Sequence, residues 1–135
     1  PVILYFGYTF CPDICPVGLA VIRDALNSEE EFKNIPVLFV TIDPDRDSSE
    51  RLKEYAGFFH QNIIPLRGQP EEIQAVIKAY GGFFRKNISD MAENSEYVVD
   101  HSAYYYLIDA NGELTRVYDH SISSEVLAES LRGLL

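Results

Sequence analysis

The chain holds no uninterrupted apolar stretch approaching the ~18–20 residues that a membrane-spanning helix needs. It is also short of positive charge, with 11 Lys and Arg against 21 Asp and Glu and a formal net charge of −10. That deficit argues against nucleic acid and anionic membrane surfaces as main partners. The acidic residues are spread along the chain, so they read first as ordinary solubilising charge. Cysteine is scarce, and two in 135 residues cannot build a disulfide scaffold. The single methionine, Met91, is no thioether-rich metal-binding run. No internal repeat, low-complexity segment or linker interrupts the chain, and 47% hydrophobic residues suffice for one core. We therefore expect a single domain over residues 1–135. Pro1 leads straight into an apolar run with no leader visible, so the expectation is a processed or N-terminally truncated piece.

What the chain does have is both cysteines in one short motif, Cys11-Pro12-Asp13-Ile14-Cys15. It follows the apolar run Val2-Ile3-Leu4-Tyr5-Phe6 and precedes a helical pattern. In a helical first turn, residues four apart share a face with Cα atoms roughly 6 Å apart, within disulfide reach. The same arrangement offers two soft sulfur ligands to one metal ion. Redox chemistry and metal binding thus start level. Two buried small hydrophobes that merely happen to be neighbours are the plain alternative, and the Pro-flanked turn argues against it. A helix N-terminus would stabilise a thiolate, whereas Asp13 opposes it unless turned to solvent. Three intervening residues, against two in the thioredoxin redox motif, favour a site that accommodates something between the sulfurs.

Residues 2–8 are near-continuously apolar, as in a strand buried on both faces. Pro12 suits a first helical turn, and a mostly apolar helix follows to Asn27. Residues 35–42 read as a second buried strand ending in the acidic turn Asp43-Pro44-Asp45-Arg46-Asp47. Ser48 or Ser49 can cap a helix over roughly residues 50–59. A short strand over residues 63–66 precedes a helix opened by Pro70-Glu71-Glu72 and stopped by Gly81-Gly82. Residues 83–96 read as a polar excursion or loop. Strands over 102–108 and 113–118 flank Asp109-Ala110-Asn111-Gly112, a hairpin signal. Ser123 caps a last helix, with Val126, Leu127 and Leu131 on one face. The order βαβαβαββα implies right-handed parallel crossovers and a three-layer α/β sandwich with a mixed central sheet flanked by helices. The terminal hairpin and the cysteine motif at the first strand-to-helix junction point to the thioredoxin-like variant.

Three histidines compete as a third ligand beside the cysteines. His101 precedes the terminal hairpin, in a loop expected to approach the cysteine motif. His60, near the end of the second helix, reads as a C-terminal dipole partner or simply as exposed. His120 reads as a solvated loop residue at the entrance to the last helix. The acidic turn lies at the carboxyl edge of the second strand, where open α/β sheets carry their sites, although an ordinary Asp/Pro turn is the plainer reading. There Asp45 and Asp47 could pair with Arg46 or with a partner's cation. Thr9, just ahead of Cys11, would suit a peroxidase pocket, but a second cysteine four residues on fits that mechanism poorly.

Three motifs then carry a resemblance. Tyr5-Phe6-Gly7-Tyr8-Thr9-Phe10-Cys11-Pro12-Asp13-Ile14-Cys15-Pro16 resembles the signature of the Sco/SenC copper chaperones. Val40-Thr41-Ile42-Asp43-Pro44-Asp45-Arg46-Asp47 resembles that family's second motif, and Val99-Asp100-His101-Ser102 with Tyr106-Leu107-Ile108-Asp109-Ala110-Asn111-Gly112 its third. Gly68-Gln69-Pro70-Glu71-Glu72-Ile73 and Lys78-Ala79-Tyr80-Gly81 fit between them. The resemblance implies a thioredoxin-like domain lacking the family's N-terminal strands and membrane anchor. It implies copper, as Cu(I) and also Cu(II), held by Cys11, Cys15 and His101. Asp43 and Asp100 become candidates for orienting the imidazole or docking a partner. The implied role is a non-enzymatic metallochaperone for the binuclear copper centre of cytochrome c oxidase, with subunit II as recipient. The implied setting is the bacterial periplasm at the outer face of the inner membrane, or alternatively the mitochondrial intermembrane space. A thiol-disulfide oxidoreductase using Cys11 and Cys15 as its catalytic pair, keeping recipient cysteines reduced, is the competing reading.

Overall fold

A computed structural model of the chain describes residues 1–9, 14–79, 84–86, 99–101, 104–119 and 121–135. Its elements run β1 (Val2–Gly7), α1 (Ile14–Asn27), a 3-10 turn (Glu30–Phe32), β2 (Val37–Thr41), α2 (Ser49–Phe59) and β3 (Ile63–Leu66). They continue with α3 (Pro70–Ala79), β4 (Phe84–Lys86), β5 (Val99–His101), β6 (Tyr104–Ile108), β7 (Leu114–Asp119) and α4 (Ser124–Arg132). Five strands form one mixed sheet in the order β3-β2-β1-β6-β7. The β1–β2 and β2–β3 pairs are parallel, and β1–β6 and β6–β7 antiparallel. This is the thioredoxin-like α/β architecture that the element order predicts.

The central strand β1 is buried on both faces because helices cover both. On one face Tyr5 stacks on Tyr105 with ring centroids 5.2 Å apart, and its other neighbour is Phe39, edge-on at 6.4 Å. Phe39 in turn meets Tyr55 of α2, and Tyr105 Oη donates to the Gly18 carbonyl of α1 at 3.2 Å. Tyr118 of β7, opposite Tyr105 in the register, contacts Ser130 of α4. So α1, α2 and α4 share that face. On the other, Phe6 packs edge-on against Tyr106. Leu4, Leu38, Val40 and Ile108 there line a cavity of about 290 Å³ with Ile73 and Val76 of α3. Pro65 is tolerated in β3 because that strand lies at the sheet edge, where a missing N–H costs little.

Local chemistry accounts for the boundaries. Ser48 caps α2 by accepting from the Arg51 N–H, and Ser123 caps α4 by accepting from the Val126 N–H. In the β6–β7 turn Asp109 Oδ1 accepts from the N–H groups of Asn111 and Glu113, at 2.8 and 3.0 Å. Gly112 there adopts φ +82°, which a side chain would strain.

Two expectations need correction. His101 does not sit in a loop: it ends β5, which pairs antiparallel with β4 as a separate two-stranded ribbon. Three-residue strands of mixed polarity carry no periodicity to reveal them, and their pairing partner is remote in sequence. In α4, Leu127 and Leu131 are buried as expected, but Val126 is 43% exposed, because one residue's 100° rotation carries it off their face. The Gly81-Gly82 stop and most of residues 83–96 lie outside the described residues.

Candidate functional site

The sheet topology decides where the candidate ligands lie. Strand β1 delivers the chain to its carboxyl edge at Gly7, and α1 begins at Ile14, so Cys15 is the second residue of that helix. No acidic residue stands in the first turn of α1 to compete for the positive helix end. Because β6 runs antiparallel to β1 with Tyr5 opposite Tyr105, the start of β6 lies beside the end of β1. His101 ends β5 three positions earlier, opposite Phe84, and Asp100 stands opposite Arg85. The starts of α1 and β6 thus share one edge of the sheet, with Cys15 on the first and His101 three residues before the second. Cys11, His120, and the side chains of Cys15, Asp100 and His101 lie outside the described residues.

The start of α1 is seated by a close approach. A Cβ on Gly18 would lie 2.2 Å from Tyr5 Oη and 2.7 Å from its Cζ, so only glycine lets the helix rest on that ring. Gly18 is three residues beyond Cys15. The seat therefore fixes the Cys15 side of the motif.

Thr9, just past the end of β1, is held by the acidic turn, which is not the solvated Asp/Pro loop that composition favours. Asp43 and Asp47 are both fully buried. The Asp43 carboxylate accepts from Arg46 Nε at 2.5 Å, and the Arg46 guanidinium lies 5.8 Å above the Tyr8 ring centroid. Arg67 ties the turn down by donating to the Pro44 carbonyl at 2.8 Å. Asp47 Oδ2 accepts from the Thr9 N–H at 3.1 Å and from Thr41 Oγ1 at 2.7 Å, while Oδ1 accepts from Thr9 Oγ1. Arg51 Nε completes the group by donating to Thr9 Oγ1.

These contacts revise the roles expected for the acidic residues. Asp43 is buried against Arg46. Asp47 engages Thr9, Thr41 and Arg51 rather than Arg46. Among the described residues no three His, Cys, Asp or Glu side chains gather as a metal would need, so the acidic turn is no cation cage. Thr9, Arg51 and Gly18 were not singled out for these roles. Their partners lie 13 to 42 residues away, beyond any local pattern. The parallel register of Gly7 with Thr41 is the one signal that foreshadows Thr9 beside the acidic turn.

His60 is neither a protonated dipole partner nor simply exposed. Its Nδ1 accepts from the Asn62 N–H at 3.0 Å, which places the proton on Nε2, 3.2 Å from Asn27 Oδ1. Burial lowers its pKa from the ordinary 6.5.

The whole chain, residues 1–135, matches the family described as SCO1/SenC. It belongs to the SCO1/SenC family. A SCO2-like protein of Rickettsia prowazekii is 38% identical over 133 residues, covering 97% of this chain and 64% of the relative. The mitochondrial SCO2 homolog of Bos taurus is 36% identical over 135 residues, covering 97% of this chain and 50% of the relative. This SCO1/SenC chain thus spans about half to two-thirds of the length of these curated relatives. Yeast Sco1, solved with copper bound, superposes with a TM-score of 0.86 and 33% identity, covering 98% of this chain and 74% of the yeast one. No helix among the described residues of this SCO1/SenC protein is long and apolar enough to cross a membrane.

Proposed function

We propose that this chain is the copper-handling domain of an assembly chaperone, with Cu(I) as its cargo and Cys11, Cys15 and His101 as the ligands. Two thiolates and an imidazole suit Cu(I), and a water or carboxylate added to them can hold Cu(II). What supports this reading is that α1, which carries Cys15, and β6, which His101 precedes by three residues, both start at the carboxyl edge of β1, in a fold shared with copper-bound yeast Sco1. A three-ligand site at an edge leaves one side open. An incoming ligand from a recipient can then replace the donor's ligands one at a time, so tight capture and ready release coexist. Asp100, next to His101 in sequence, remains a candidate for orienting the imidazole or docking a partner. The recipient is the binuclear copper centre of cytochrome c oxidase, on subunit II, at the outer face of a bacterial inner membrane or in the mitochondrial intermembrane space.

The thioredoxin-like position of Cys15 at a helix start favours a second activity on the same pair, reduction of the recipient's cysteines. A helix N-terminus in general favours the thiolate over the thiol. Metal content and thiol titration of the reduced protein separate the two. One copper per chain, released on thiol alkylation, supports the chaperone. A metal-free protein whose disulfide exchanges readily supports the oxidoreductase alone.

A further inference from the structure

We infer that Asp47 is a positioning residue for the cysteine pair, acting through Thr9. The inference rests on Cys11 and Cys15 being the working pair. The network around Asp47 has a defined polarity. Arg51 Nε donates to Thr9 Oγ1, and Thr9 Oγ1 donates to Asp47 Oδ1. From the other side the Asp43 N–H donates to Thr41 Oγ1, and Thr41 Oγ1 donates to Asp47 Oδ2. Each hydroxyl gives one hydrogen bond and takes one, which is consistent with an ionised, acceptor-only carboxylate at the centre. The Thr9 N–H adds a donor whose direction cannot reverse.

Thr9 is the point where β1's extension is tied to the end of β2 and the first turn of α2, through Thr41 and Arg51. Cys11 is two peptide units further on, so it stays within ~7.6 Å of Thr9 at Cα. Cys15 is held separately, by α1 resting at Gly18 on Tyr5. The stretch of chain that carries the two cysteines therefore runs between two anchors, at Thr9 and at Gly18, and Asp47 is the centre of the first. Loosening it lowers the effective concentration of one thiol beside the other. Disulfide closure and two-sulfur chelation should weaken together.

The test equilibrates the protein with glutathione buffers and reads the Cys11–Cys15 equilibrium. Oxidation forms one S–S bond, and its two electrons and two protons convert one glutathione disulfide to two thiols. Cu(I) affinity is measured in parallel by chelator competition. In Asp47→Asn the amide must keep its oxygen toward the Thr9 N–H, which sets its NH2 against Thr9 Oγ1 and leaves the Thr9 hydroxyl proton without the acceptor that Oδ1 supplied. Losing hydrogen bonds to a buried charge should shift the thiol equilibrium toward the reduced form by about tenfold, ~30 mV for two electrons. Thr9→Val should shift it at least about threefold, the scale of one net hydrogen bond, and Thr9→Ser should restore the parent value. Ser123→Ala, which loses a remote helix cap, controls for stability and should leave the equilibrium unchanged.

A smaller shift in Thr9→Val, an equal shift in Thr9→Ser, or an equal shift in Ser123→Ala would overturn the inference. If Asp47→Asn does not fold, the two Thr9 variants decide it. Failure of the copper reading stays distinguishable. A parent that binds no Cu(I) removes the chaperone assignment, while the thiol equilibrium still decides the role of Asp47.

Discussion

Gly18→Ala should destabilise the domain, although the same change in an ordinary helix stabilises it. Alanine gains about 0.8–1 kcal/mol over glycine in helix propensity. Here the new Cβ meets Tyr5 Oη at 2.2 Å and Cζ at 2.7 Å, both far inside contact distance. The Tyr5 ring is fully buried and cannot retreat, because Tyr105 stacks on it at 5.2 Å and Phe39 meets it at 6.4 Å. Overpacking of this kind typically costs about 1–3 kcal/mol, and relief would require α1 to lift off the sheet. The propensity gain offsets only part of that. We expect a net loss of up to about 2 kcal/mol, or as much as roughly 8 °C in the melting temperature of a domain this size. Gly57→Ala in α2 is the internal control, since its Cβ would meet nothing within 4 Å. That variant should gain up to about 1 kcal/mol. Thermal melts of both variants beside the parent decide the matter. Two shifts of the same sign would refute the close-approach reasoning.

Further outcomes follow from the same geometry. Arg46→Met removes the Arg46–Asp43 ion pair at a fully buried carboxylate and should destabilise the domain, read as a lower urea midpoint. Ser123→Ala removes the α4 cap and should cost about 1 kcal/mol by the same assay. Folding lowers the His60 pKa, so below pH 6.5 the unfolded chain binds more protons there than the folded one. The His60 contribution is therefore present above pH 6.5 and lost as pH falls toward the depressed folded value. In His60→Gln the stability difference between pH 7.5 and pH 5.5 should shrink relative to the parent, and an unchanged difference would contradict the assignment.

The main sheet was legible because its strands carry strong local signals. The run Val2 to Phe6 is too apolar for anything but a buried strand, and the Gly112 turn declares its hairpin through one positive φ. Ser48 and Ser123 likewise announce their helices by capping chemistry that spans three residues. The β4–β5 ribbon escaped for the opposite reason. Phe84-Arg85-Lys86 and Val99-Asp100-His101 are short and mixed in polarity, and they find each other only across the intervening chain. The acidic turn misled because composition reports polarity and not burial. Asp43 and Asp47 look like solvent-facing turn residues until the register of β1 with β2 brings Thr9 above them and Arg46 folds back. Pairings such as Thr9 with Asp47 depend on which strands become neighbours, and a single sequence reveals that only once the topology is known.

The central claim is that His101 completes a copper site begun by the two cysteines. The direct test is Cu(I) affinity of the reduced parent and of His101→Ala, measured by competition against a chromophoric chelator. Loss of a direct ligand should weaken binding by more than the ~10–100-fold that even an outer-shell change brings, while reduction of a model disulfide by the variant continues. Equal Cu(I) affinity in the two proteins would contradict the ligand assignment and leave the cysteine pair as a redox device.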